Sequence, residues 1–75
     1  MIDAIIKKVV VTNTIEPEKD PIVIVYIEYH DGTQTRSVVE HLTARLPVAR
    51  RLESLWKNRK AKIKVIANKL TEIRT

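Results

Sequence analysis

The chain has no cysteine and no phenylalanine, a single glycine and only three aromatic residues, Tyr26, Tyr29 and Trp56. Each scarcity removes a class of explanation. Without cysteine there is no disulfide to staple a small fold, no thiol nucleophile and no thiolate metal ligand; the same absence suits a reducing compartment, and a cytoplasmic location is expected. One glycine, Gly32, excludes both common phosphate-cradling loops, because each needs several glycines to bring backbone N–H groups against phosphate. Apolar runs are short, far from the ~18 residues of a membrane span, and no secretory leader pattern stands at the start, so no membrane partner is expected.

Catalytic and metal-binding constellations are equally thin. Ser37 and Ser54 stand in no nucleophile-and-base motif. His30 and His41, with Glu28, Asp31 and Glu40, are the only imidazole and carboxylate groups that invite a metal reading. The expected hairpin separates the two histidines by some 30 Å at ~3.3 Å per residue. Glu28 and Asp31 at an open hairpin tip lack the desolvation that tunes an acid/base pair. No enzyme, metal or cofactor is expected.

What the chain does have is β-branched aliphatic residues and unevenly placed charge. Ten isoleucines, nine valines and five leucines supply the core of one small domain spanning all 75 residues. They come in short runs at 5–12, 22–29 and 34–39, separated by turn signals, as strands do. Residues 13–21, with Glu16, Glu18, Asp20 and two prolines, read as an exposed acidic loop. Asp31-Gly32 between two alternating runs is a strong hairpin signal. Taken as the two central turn residues, they place Glu28 opposite Thr35, Tyr26 opposite Ser37 and Val25 opposite Val38. The hairpin then has a polar tip and a base that is apolar on both faces, so both faces need covering.

One helix is available for this. Between Thr43 and Lys57 the apolar residues Val48, Ala49, Leu52, Leu55 and Trp56 fall on one side of a helical projection, with Thr43 as a candidate N-cap and Pro47 tolerable in the first turn. The remaining face calls for curvature, closure or a second subunit, and a homodimer is expected. The last segment, 61–74, reads two ways. Ile63, Val65 and Ala67 alternate with Lys62, Lys64 and Asn68 as in a strand, while Ile63, Ile66, Ala67, Leu70 and Ile73 make a helical stripe. The strand reading is the favoured one: an α+β domain of order β-β-β-α-β, with one amphipathic helix packed on an antiparallel sheet. The alternative is three strands followed by a helical hairpin.

Charge points to a partner. Residues 1–40 carry four Lys/Arg against seven Asp/Glu, a net −3, and residues 41–75 carry ten against two, a net +8. The excess is densest at Arg50, Arg51, Lys57, Arg59, Lys60, Lys62 and Lys64, opposed only by Glu53. Such a block attracts polyanions whatever fold carries it. If the helix, its following turn and the last strand present these seven side chains as one ridge, the chain is a small basic nucleic-acid-binding protein of low sequence specificity that contacts phosphates. Few rings are on offer for stacking. Trp56 projects from the apolar side of its helix, which leaves Tyr29 as the better candidate, and duplex DNA is weakly favoured over single strands and RNA. The competing reading is a homo-oligomeric structural or adaptor protein docking an acidic protein partner. A loop of Glu16, Glu18 and Asp20 folding over the basic ridge would compete with phosphate.

Overall fold

A computed structural model of the chain describes residues 1–12 and 19–75. The elements run β1 (Ile2–Val11), β2 (Ile22–His30), β3 (Thr35–Thr43), α1 (Leu46–Trp56), β4 (Lys60–Ile66) and β5 (Lys69–Arg74). All pairings are antiparallel, in one five-stranded sheet of order β3-β2-β1-β4-β5. The expected β-β-β-α-β order is therefore present, with a fifth strand added at its end. Three hairpin-connected strands with the fourth returning beside the first form a Greek key. The two edge strands, β3 and β5, approach each other, so the sheet curls around its own inner face.

That inner face holds the core. Ala4, Ile6 and Val9 of β1, Val23, Val25, Ile27 and Tyr29 of β2, and Ala61 and Ile63 of β4 are buried together with Ala49 of α1. Along β2 and β4 they occupy alternate positions, as the two-residue period of a strand requires, and along β1 the spacing widens from two to three after Ile6, where the register shifts. The broad ring of Tyr29 lies across from Ala4, which in turn faces Ala61, so a large side chain is accommodated by two small neighbours in the same row. One helix and the sheet's own curvature thus cover the inner face, and the other face stays open within one chain.

Four sequence expectations change. First, the β2–β3 turn is centred on Gly32-Thr33, because His30 pairs with Thr35 and the Asp31 N–H donates to the Gln34 carbonyl at 3.1 Å. Glu28 then faces Ser37, Tyr26 faces Val39 and Val25 faces Glu40. The slip is two residues, so every side chain keeps its expected face. Gly32, with φ of 99°, occupies the position where glycine avoids the Cβ clash. The Asp31 carboxylate fastens the turn: its Oδ1 accepts from the Thr33 and Gln34 N–H groups, both at 2.9 Å, and from the Thr33 hydroxyl at 2.8 Å, while Oδ2 pairs with Arg36.

The Arg36 guanidinium, with the two turn N–H groups behind it, holds the Asp31 carboxyl well below the usual carboxylate range. A carboxyl whose folded pKa is depressed adds stability that is complete above the unfolded value, near pH 4, and is lost as pH falls toward and through the lower folded value. The stability gap between the native chain and Asp31→Asn, measured by urea denaturation, is therefore expected to narrow steadily from pH 4 to pH 2. A gap independent of pH in that window would refute the role given to the carboxylate.

Second, Thr43 is the last residue of β3 and caps nothing. The N-cap is Arg45, without a side-chain cap, and Pro47 lies in the first turn as expected. Third, the helix buries Ala49 and half-buries Leu52 and Trp56, whereas Val48 is 48 % and Leu55 53 % exposed. The helix meets the sheet on a narrower stripe than its apolar residues span. Fourth, residues 61–74 form two strands, which displaces the helical hairpin. Ala67 and Asn68 both have positive φ, 53° and 63°, and Ile66 pairs with Lys69, the geometry of a two-residue type I′ turn. Asparagine tolerates that conformation, and alanine is strained in it by ~1 kcal/mol. The packing of Val65 against Leu70 and of Ile63 against Ile73 on the core face offsets the strain.

Residues 13–18, most of the expected acidic loop with Glu16 and Glu18, lie outside the described residues. Of the rest, Lys19 and Asp20 are exposed and Pro21 is buried. Among the described residues no helix is long and apolar enough to cross a membrane.

Candidate nucleic-acid interface

Alternation along β4 decides where its lysines go. Ala61 and Ile63 point into the core beside Ala49 of α1, so Lys60, Lys62 and Lys64 stand on the open face, away from the helix. All seven basic residues singled out from the sequence are exposed. They do not share one ridge, however. Arg50 and Arg51 lie on the exposed side of α1, over the covered face of the sheet. Lys60, Lys62 and Lys64 lie on the opposite face. Lys57 and Arg59, in the turn between, connect the two groups. The physical cause is that α1 packs on the inner face while strand alternation sends the β4 lysines outward.

Register gives the arrangement of the open face. One row across β3, β2, β1 and β4 reads Ser37, Glu28, Ile5, Lys60, and the next reads Val39, Tyr26, Lys8. Tyr26 is 38 % exposed, and the Lys8 ammonium sits 5.9 Å from the centroid of its ring, a cation–π geometry. Tyr29, the ring expected to be available, is only 8 % exposed and belongs to the core. The difference is one of parity: Tyr29 shares its face with Val25 and Ile27, and Tyr26 shares the other with Ile24 and Glu28. Exposed Val39 lies opposite Tyr26, exposed Ile5 lies one row away, and exposed Ile22 lies further along β2 on the same face, so the open face is apolar toward β2 and β3 and cationic toward β4.

Some of this charge is already matched. Lys62 pairs with Asp3 at 3.0 Å, Arg50 with Glu53 at 3.5 Å, and Glu72, opposite Lys64, with Arg74 at 2.8 Å. These are exposed pairs of small individual worth, open to replacement by phosphate. Among the described residues Lys8, Arg51, Lys57, Arg59, Lys60 and Lys64 are in no ion pair.

Two contributors escaped sequence reasoning, Lys7 and Lys8. They sit at an irregularity in β1, where the β1–β2 register shifts between Ile6 and Lys8. Nothing in the local sequence marks it. The acidic average of residues 1–40 also conceals that these two lysines join the basic half in space.

The histidines do not meet. His30 pairs with Thr35 and His41 with Ile24, six positions apart along β2, or about 20 Å at ~3.3 Å per residue. The described residues contain no group of three His, Asp or Glu side chains placed to hold a metal. Compared with known proteins, the chain matches no family model, no curated protein and no solved structure.

Proposed function

We propose that this protein binds nucleic acid on its open sheet face, with low sequence specificity, through phosphate contacts from Lys8, Lys60, Lys62 and Lys64 and stacking on Tyr26. The observation that carries the reading is the exposed Tyr26 ring with the Lys8 ammonium 5.9 Å from its centroid, on the same face of the sheet as the outward Lys60, Lys62 and Lys64 of β4. A polyanion with flat apolar bases complements both halves of such a surface. Phosphate contacts alone suit any nucleic acid, but stacking needs unpaired bases, so Tyr26 moves the expected preference from duplex to single strand. The fold supports the reading by analogy only. A five-stranded, partly open Greek-key barrel with a helix between its third and fourth strands is the arrangement of the oligonucleotide-binding barrel. Arg50 and Arg51 of α1 are left outside the central contact, and Lys57 and Arg59 flank it.

The test is a titration of labelled single-stranded DNA, single-stranded RNA and duplex DNA across a series of salt concentrations. With four to six phosphates engaged, log K is expected to fall with log salt at a slope of about −3 to −4 for single strands, at ~0.7 per phosphate. Tyr26→Ala should weaken single-strand binding about tenfold, given ~1–3 kcal/mol for base–aromatic stacking, with little effect on duplex. Absence of binding at ~50 mM salt would overturn the reading.

A second reading, the homo-oligomeric adaptor, is favoured by apolar exposure away from the β4 lysines. Ile22 and Val39 on the sheet and Val48 and Leu55 on α1 are all exposed. Analytical ultracentrifugation decides its first requirement: a monomer at tens of micromolar would set it aside.

A further inference from the structure

The groove between the C-terminal part of α1 and the middle of β1 is a second surface, which meets the open face at Lys8. It is lined by Lys7, Lys8 and Val9 of β1 and by Glu53, Ser54 and Lys57 beside them. Consecutive residues of a regular strand point to opposite faces. Lys7 and Lys8 line one groove because β1 is irregular here, and an extra residue in a strand re-aims the side chains around it. The turn after α1 docks at the same place: the Asn58 N–H donates to the Ile6 carbonyl at 2.8 Å, and the Ile6 N–H donates to the Arg59 carbonyl at 2.9 Å. Asn58, with φ of 58°, ends the helix in a left-handed conformation and so sets Lys57 opposite the two β1 lysines.

The electrostatics of the groove are one-sided. Three lysines and one carboxylate line it, with the Lys8 ammonium at the edge toward Tyr26, and that carboxylate, Glu53, is already paired with Arg50. Among the described residues none of the three lysines is in an ion pair. The Ser54 hydroxyl adds a neutral donor. The volume, about 630 Å³, falls within the ~300–1,000 Å³ usual for small-ligand sites.

We infer that this groove is a phosphate-binding site for a ligand carrying two adjacent phosphates, held by Lys7, Lys8 and Lys57 with the Ser54 hydroxyl as a further donor. A single phosphate carries about two negative charges near neutral pH and a diphosphate about three, so three lysines at the rim of one groove are better matched in charge by a diphosphate. Free diphosphates and successive phosphates of a nucleic-acid strand share that chemistry. The inference does not depend on the open-face reading, although Lys8, whose ammonium also lies over Tyr26, adjoins both surfaces.

The experiment is an amide-resolved NMR titration of the full chain with sodium pyrophosphate at low salt. Saturable shifts are expected at Lys7, Lys8, Ser54, Lys57 and Asn58, and Lys7→Gln/Lys57→Gln should weaken the fitted affinity about tenfold or more, at ~1.5 kcal/mol for a charge-assisted contact. Lys62→Gln/Lys64→Gln should leave it unchanged. Shifts that are absent, or that spread equally over residues 60–64, would overturn the site. A parallel titration of both double variants with a single-stranded oligonucleotide identifies the source once pyrophosphate binding is seen. A tenfold loss in Lys7→Gln/Lys57→Gln assigns the groove to the strand, and no loss assigns it to a free diphosphate. Pyrophosphate binding with no oligonucleotide binding by the native chain would remove the open-face reading and leave the groove standing.

Discussion

Reversing the charge of the β4 row, as Lys60→Glu/Lys62→Glu/Lys64→Glu, is expected to reduce single-strand affinity at least 100-fold and to flatten the salt slope by about 2. The affinity figure follows from roughly 1 kcal/mol for each of three exposed contacts, before repulsion is counted. The slope follows from three phosphates at ~0.7 each. The triple variant should fold, because all three side chains point away from the core while Ala61 and Ile63, between them, fill it. An unchanged circular-dichroism spectrum and urea midpoint make the binding result interpretable. A loss below threefold with the fold intact would show that the row does not touch the ligand. The matching change on α1, Arg50→Glu/Arg51→Glu, should cost much less, since these arginines lie over the other face of the sheet. Equal losses from the two variants would restore the single ridge implied by their nearness in sequence.

The second large effect concerns stability. Ile63 is fully buried and sits directly between Ile2 of β1 and Ile73 of β5 on the core face, at the seam where the last hairpin joins the sheet. Ile63→Ala should destabilise the protein by about 2–5 kcal/mol, from lost transfer free energy plus the cavity left behind. A chain of this length has a total stability of roughly 4–11 kcal/mol at ~0.05–0.15 per residue, so the variant loses a large share and is partly unfolded at 37 °C if it begins near the low end. Ile63→Val, which removes one methylene, should cost only ~1 kcal/mol and serves as the graded control. Urea denaturation reads both. A shift below 1 kcal/mol for the alanine variant would mean that β5 does not close over Ile63 as described.

The legible and the illegible parts of this fold differ in how local their causes are. β2 and β3 were readable because Ile22 to Tyr29 and the residues after Gly32 alternate, and because Gly32 marks a turn. The two-residue slip in register came from Asp31, whose carboxylate gathers Thr33, Gln34 and Arg36. That role depends on where the next four residues end up, and a dipeptide signal does not contain it. α1 was readable from Ala49, Leu52 and Trp56, but Val48 and Leu55 were expected inside. Helical periodicity reports which residues can share a side, and the width of the surface beneath decides how many are covered. The β4–β5 hairpin was missed because Ala67-Asn68 is a poor advertisement for a type I′ turn and because Ile63, Ile66, Leu70 and Ile73 fit a helical repeat equally well. Long-range pairing of Ile63 with Ile2 settled the competition.

The candidate sites divide in the same way. The excess of positive charge after residue 40 is a property of composition, so the sequence by itself determined the net positive charge of the second half of the chain, and with it the absence of thiol chemistry and of a glycine-rich phosphate loop. It also determined which residues of β2 share a face, since two-residue alternation survives any even slip in register, whereas the slip itself set Glu40 opposite Val25 and His41 opposite Ile24 at the base of the hairpin. Which charges act together was decided by the tertiary structure alone. The inward packing of α1 separated Arg50 and Arg51 from Lys60, Lys62 and Lys64, the irregularity in β1 brought Lys7 and Lys8 to Lys57, and the register of β2 exposed Tyr26 while burying Tyr29. The physical reason is that charge acts through space at a range of several ångströms, and contacts between residues distant along the chain set those separations.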